Sequence, residues 1–181
     1  MFLSSPYDFE ARTLYEAIVA QARAPGFYTE MKVPDTVEGR FDMIALHCFL
    51  VLHRLKSEGE KGGDLAQSLF DVLFADLDEN IREMGVGDLS VGKYVKKMAK
   101  SFLGQIAAYD AALYTEEKGG LDVAGGDLLA SALSRNVYAA IDVPRATIDS
   151  LSDYLRGQVA VLADQPIKEF LSGRVTFATT P

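Results

Sequence analysis

The 181-residue chain is predicted to be all-α. The expectation is a single-domain helical bundle of about six to seven helices over residues 1–181, ending in a short extended C-terminal segment. Three observations predict it. Apolar residues recur at three- and four-residue steps through several long segments. Those segments are separated by breaks rich in Gly and Pro. Runs with strict two-residue alternation are nearly missing, which leaves little from which to build a sheet.

The first helix is read over DFEARTLYEAIVAQAR, with Phe9, Leu14, Ile18 and Val19 as its apolar side. Pro25, Gly26 and Pro34 then interrupt the pattern, so APGFYTEMKVPDTVEG is expected to be a loop or a bent connection. A second helix follows from Val37 to Lys56. Gly59, Gly62 and Gly63 are expected to stop it, with Asp64 capping a third helix, LAQSLFDVLFADLDENIREMG. Along that helix Phe70, Leu73, Phe74, Leu77, Ile81 and Met84 return at helical spacing, and Gly85 and Gly87 end it. A fourth helix, SVGKYVKKMAKSFLGQIAAYDAALY, is expected to take its cap from Asp88 or Ser90. The Gly-rich stretch TEEKGGLDVAGG leads to Asp127, placed to cap a shorter helix from Leu128 towards Tyr138. Pro144 stands near the start of a further helix carrying Ile148, Leu151, Leu155, Val159 and Leu162. Pro166 opens a short turn closed by Gly173, and the final RVTF alternates as an extended segment would.

Composition narrows the function. Hydrophobic residues make up 49% and charged residues 24%, ordinary values for a globular protein and unlike those of a disordered one. The formal net charge of −8 repels phosphate, so no sequence-specific nucleic-acid partner is expected. A local basic stripe can still act at short range, because salt screens charges beyond roughly 8 Å. Cys48 is the sole cysteine, which excludes an intrachain disulfide. The opening MFLSSPYDFEAR reads as neither a secretory signal nor a transit peptide. The expected location is cytoplasmic, peripheral at the inner membrane.

The second helix is the most apolar part of the chain. Its uncharged run is about half of the ~20 residues that span a bilayer, and His47 lies inside it. Phe41, Ile44, Cys48, Val51, Leu52 and Leu55 share one face, while Met43, Leu46, Phe49 and Leu50 project from the other sides. A helix apolar all round is a central core helix. The sharper expectation is that part of the second face, at Leu46, Phe49 and Leu50, meets an apolar partner.

No cofactor or metal is expected. His47 and His53 are six residues apart, about 120° on a helical wheel, whereas zinc-binding helices use pairs four apart. In DVLFADLDENIREMGVGD, Asp71 and Asp78 align but Asp76 and Glu79 do not, so no paired-aspartate site for a metal diphosphate results. Repeated ExxH pairs, GxSxG, a Rossmann fingerprint and a P-loop are all missing from the sequence, and no catalytic residue is assigned.

The fourth helix is the clearest amphipath. Val91, Val95, Met98, Phe102, Ile106, Tyr109 and Leu113 form a narrow apolar stripe. Lys93, Lys96, Lys97 and Lys100 fall on the opposite side with no acid between them. In an acidic chain this is either a solvated face or a docking stripe for phosphate, on RNA or on anionic lipid headgroups.

Five stretches carry a family likeness: DTVEGRFDMIALHCFLVLHRLK, LFDVLFADLDENIREMGVGDLSVGKYVKKM, GQIAAYDAAL, ALSRNVY and FLSGRVTF. Together they resemble the ubiquinol–cytochrome c chaperone family, in the phrasing of its alphaproteobacterial branch. The likeness extends from Leu14 to Phe177 and is most specific over Leu69 to Met98. SFLGQIAAYD departs from the aromatic and arginine of that family's FYGRxxAYD pattern. The resemblance implies a non-enzymatic assembly factor for the cytochrome bc complex. It also implies a small partner protein, work near the ribosomal tunnel exit, and newly made cytochrome b as client. The alternative from a different class is an all-α isoprenoid or quinone-pathway enzyme or small-molecule binder. An apolar tunnel lined by acids would favour the enzyme, and a filled core with apolar surface patches would favour the chaperone.

Overall fold

The structure is a computed structural model, which describes residues 6–119 and 127–180. Eight helices occur among the described residues: α1 (Asp8–Ala22), α2 (Pro25–Thr29), α3 (Val37–Leu55), α4 (Gly59–Glu83), α5 (Asp88–Glu117), α6 (Leu128–Asn136), α7 (Arg145–Ala163) and α8 (Ile167–Phe170). No strand occurs among them, so the protein is all-α as expected.

The second predicted helix is α3, and it is central. It packs against α1, α4, α5 and α7. Phe41, Met43, Ala45, Leu46, Cys48, Phe49, Leu50, Val51 and Leu55 are all buried, which is what apolar residues on every side of one helix require. The Thr36 side chain caps it by accepting from the Gly39 N–H at 3.1 Å. Gly39 has no alternative there, because a Cβ would lie 2.0 Å from the Pro34 carbonyl oxygen.

Several boundaries differ from the expectations. The proline-rich connection contains the short helix α2, because Pro25 at N1 starts a helix as readily as it breaks one. α4 begins at Gly59, so Gly62, Gly63 and Asp64 are helical and Asp64 is not a cap. α5 begins at Asp88 with Gly87 in the cap position, which makes Asp88 and Ser90 helical residues rather than caps. Asp127 does cap α6, accepting from the Ala130 N–H at 2.9 Å. Much of the Gly-rich connection before it, residues 120–126, lies outside the described residues. Phe9 is 74% exposed because it falls on the opposite side of α1 from the buried Ala11, Leu14, Ile18 and Ala22, so it is not part of the apolar side expected of it, and Met84 is 60% exposed just past the end of α4.

The C-terminal segment pairs with side chains instead of a strand. Gln165 donates to the Thr176 carbonyl at 2.7 Å and accepts from the Thr176 N–H at 2.9 Å. Gln158 does the same for Ala178, at 3.1 and 2.9 Å. Gln21 of α1 donates to the Ala178 carbonyl from the other side, at 3.0 Å. Each glutamine amide presents a donor and an acceptor at peptide spacing, so it replaces one rung of a sheet. Arg54 holds the preceding corner. It donates to the Leu162 and Gln165 carbonyls at the end of α7, pairs with Glu58, and lies 5.5 Å from the Phe170 ring.

Candidate functional site

α5 is 30 residues long, about 45 Å at 1.5 Å per residue. One side is buried through Val91, Met98, Phe102, Gln105, Tyr109, Ala112 and Leu113. On the other side Lys93, Lys96, Lys97 and Lys100 are all exposed, as the sequence predicted. Among the described residues no carboxylate lies within ion-pair distance of any of these four. Asp88, at the start of this helix, pairs instead with Arg82 at 2.6 Å, and the same guanidinium bridges Asp78 at 2.5 Å.

The same face carries apolar side chains that the sequence reading did not single out. Leu89 is 99% exposed, Leu103 54% and Tyr114 63%, and Lys118 lies over the Tyr114 ring at 5.7 Å. The signal was available in the spacing. At 100° per residue, Leu89, Lys93, Lys96, Lys97, Lys100, Leu103, Tyr114 and Lys118 fall within one arc of about 120°. Attention to the inner stripe alone hides them.

Beside α5 lies a concavity of about 280 Å³. Phe49, Leu52 and Leu55 of α3, Ala66 of α4 and Ile106 of α5 make it mainly apolar, and Gly59, Gly62 and Gly63 contribute bare backbone. Its polar edge is Asp110, which accepts from His53 at 2.8 Å and from Lys56 at 2.9 Å. Burial raises the pKa of Asp110, but these two bonds outweigh it and hold the carboxyl below its ordinary value.

The partner face expected on α3 needs correction. Leu46, Phe49 and Leu50 are all buried, because α1, α4, α5 and α7 together enclose the helix. Phe49 alone of the three borders the concavity.

The remaining sites of interest are structural. His47 is fully buried and edge-on to Phe27, Tyr154 and Phe177. Its Nδ1 lies 2.7 Å from the Met43 carbonyl and its Nε2 2.9 Å from the Tyr154 hydroxyl. A carbonyl only accepts, so Nδ1 carries the proton and Nε2 accepts from Tyr154. Burial lowers the pKa of His47 to about 4. Cys48 is buried too, and burial pushes its thiol well above the ordinary range. Among the described residues, no group of three or more His, Cys, Asp and Glu side chains could hold a metal ion. The α4 acids have local duties: Asp76 accepts from Tyr15 at 2.7 Å, Asp71 from Gln67 at 2.9 Å, and Asp78 pairs with Arg82. No described helix is long and apolar enough to cross a membrane.

A family model described as ubiquinol-cytochrome C chaperone matches residues 29–177. The chain belongs to the ubiquinol–cytochrome c chaperone family. The crystal structure of the Cbp3 homolog from Brucella abortus shares its fold, with a TM-score of 0.79 and 34% identity over 94% of this chain and 90% of that one. Ubiquinol-cytochrome-c reductase complex assembly factor 1 of Xenopus laevis is 26% identical over 153 residues, covering 84% of this chain and 72% of that protein. The mitochondrial protein CBP3 of Saccharomyces cerevisiae is 26% identical over 167 residues, covering 90% of this chain and 47% of that protein. The mouse assembly factor 1 is likewise matched over 48% of its length, so the chain spans about half of some of these chaperone-family relatives.

Proposed function

We propose that this chain is a non-enzymatic assembly chaperone for the respiratory cytochrome bc complex and that its client is newly made cytochrome b. The observation that carries the reading is the family match over residues 29–177, whose relatives are named as reductase-complex assembly factors. Two features of the molecule support it. Large apolar side chains stand in solvent at Leu89, Leu103 and Tyr114 on one helix face, as work beside a membrane, where the client is inserted, requires. The concavity walled by Phe49 can seat one client side chain, with His53, Lys56 and Asp110 meeting polar backbone at its rim. Lys93, Lys96, Lys97 and Lys100 bring the chaperone to a phosphate-bearing surface, ribosome or anionic membrane, so that it works in the cytoplasm and peripherally at the inner membrane. A small partner protein shares the remaining surface.

The enzyme reading has less behind it. Asp71, Asp76 and Asp78, the acids it would use, each serve a local hydrogen bond or ion pair.

The test is capture of the chaperone during translation, followed by identification of the bound nascent chains. The expected result is selective enrichment of cytochrome b over other membrane proteins of similar hydropathy. Equal recovery of all membrane proteins would replace cytochrome b with a general holding role.

A further inference from the structure

We propose that the outer face of α5 is a docking surface for an anionic lipid bilayer, with Leu89, Leu103 and Tyr114 inserting between headgroups that the lysines pair. This deepens the phosphate-docking reading of that face and is independent of which client is held. Four observations carry it. Five of the chain's nine lysines, Lys93, Lys96, Lys97, Lys100 and Lys118, lie on this helix and its cap, although the chain as a whole is at −8. The arc they occupy contains no acid: Asp88, Asp110, Glu116 and Glu117 all fall outside it on the helical wheel. Large apolar side chains share that arc, and Leu89 has almost no contact with the rest of the protein. Between them Gly104, Ala107 and Ala111 are exposed and small, so no bulky side chain of this arc separates Leu103 from Tyr114.

A bilayer matches these features better than RNA does. An interfacial helix places aliphatic and aromatic residues at the acyl boundary and lysines among the phosphates. Tyrosine favours that boundary because its ring is apolar and its hydroxyl is wet. Lysine is a mobile point charge, suited to a fluid array of headgroups. Fixed RNA phosphates are better met by the fork of arginine, and α5 contains none. RNA also offers no counterpart for a fully exposed Leu89. The rest of the acidic chain is repelled by an anionic surface, which orients the molecule with α5 towards it.

The test uses flotation with phosphatidylglycerol–phosphatidylcholine vesicles and with phosphatidylcholine vesicles alone, across a salt series. Wild type is expected to float with the anionic vesicles only, more weakly as salt rises. Lys96→Gln with Lys100→Gln should weaken binding about 25-fold at low salt, taking about fivefold per lysine near the surface. Leu89→Ser with Leu103→Ser should weaken it while leaving the salt dependence intact. The chain has no tryptophan, so Leu89→Trp gives a single emission that should shift blue on anionic vesicles. Phe9→Trp, exposed on α1, should show no shift, which separates insertion from general adhesion. Circular dichroism confirms the fold of each variant, and the tryptophan readout stands even if a double variant is unstable. Equal flotation of wild type and both double variants overturns the proposal. So does an unshifted Leu89→Trp emission, or salt-dependent binding to ribosomal RNA with none to vesicles. No client is present in this assay, so its failure and the failure of cytochrome b capture are separate results.

Discussion

Gln158 clasps Ala178 at both ends of its amide, accepting from the Ala178 N–H at 2.9 Å and donating to its carbonyl at 3.1 Å. Gln158 is fully buried on α7, so the last residues of the chain are tied to the helical core through a side chain. Gln158→Leu keeps the bulk and removes both bonds. The Ala178 carbonyl keeps Gln21, but its N–H is left unpaired. The expected cost is about 2–3 kcal/mol in urea unfolding, with faster hydrogen exchange at Ala178. A cost below about 0.5 kcal/mol with unchanged exchange would show that the tail is not held this way.

The pH dependence of stability should reveal a buried and a half-buried group that oppose each other. Burial lowers the pKa of His47 to about 4, below its ordinary 6.5. As pH falls through that window the unfolded chain takes up a proton that the folded chain refuses, so His47 removes stability. Burial raises the Asp42 carboxyl from 3.8 to about 6, although Gln105 donates to it at 2.8 Å. There the folded chain takes the proton first, so Asp42 adds stability as pH falls and loses it as pH rises through 6. Each effect is on the order of 3 kcal/mol, and in wild type they largely offset. Between pH 7 and 4.5, His47→Gln should lose less stability on acidification than wild type, and Asp42→Asn should lose more. Parallel denaturation curves for all three proteins would exclude this account.

Phe102 and Phe74 face each other, with ring centroids 5.8 Å apart, yet they should not cost the same when truncated. Phe102 is fully buried on α5, while Phe74 on α4 is only partly covered. Phe102→Ala is expected to cost about 3–5 kcal/mol, and Phe74→Ala about half of that. Equal costs in denaturant unfolding would mean that the outer edge of this aromatic group is as well packed as its centre.

These residues also show what the sequence could and could not reveal. The spacing of Phe102, Tyr109 and Leu113 announces the inner face of α5, because a 3.6-residue period needs only residue types to be seen. The all-round apolarity of α3 announces a central helix for the same reason. How far each stripe is covered depends on its neighbours, so Phe74 and Met84 look like core and are not fully core, whereas Phe9 lies opposite Leu14 and Ile18 on the helical wheel and its exposure was legible in the spacing. The reverse error falls on Leu46 and Leu50, where composition left two apolar faces and only tertiary packing shows that both are used. The Gln158 and Gln165 clasps leave no local trace, since their partners lie 20 and 11 residues away and a glutamine side chain carries no sign of which backbone it will pair with.

Gly62 and Gly63 look alike in sequence and should behave oppositely. Sequence reading takes both as turn residues, whereas the structure makes both part of the first turns of α4. A Cβ on Gly62 would lie 2.6 Å from the Leu55 carbonyl oxygen and 2.7 Å from the Glu58 Cβ, so the glycine sets how closely α4 returns past the end of α3. A Cβ on Gly63 would meet nothing within 4 Å. Gly62→Ala must therefore separate the two helices at this corner, at a cost of about 1–3 kcal/mol. Gly63→Ala relieves an exposed helical position of its glycine and should gain about 0.5–1 kcal/mol. If residues 59–63 were instead a flexible loop, alanine would find open space at both positions and the two variants would unfold together. Urea midpoints moving in opposite directions are the expected outcome, and coincident midpoints would return the start of α4 to Asp64.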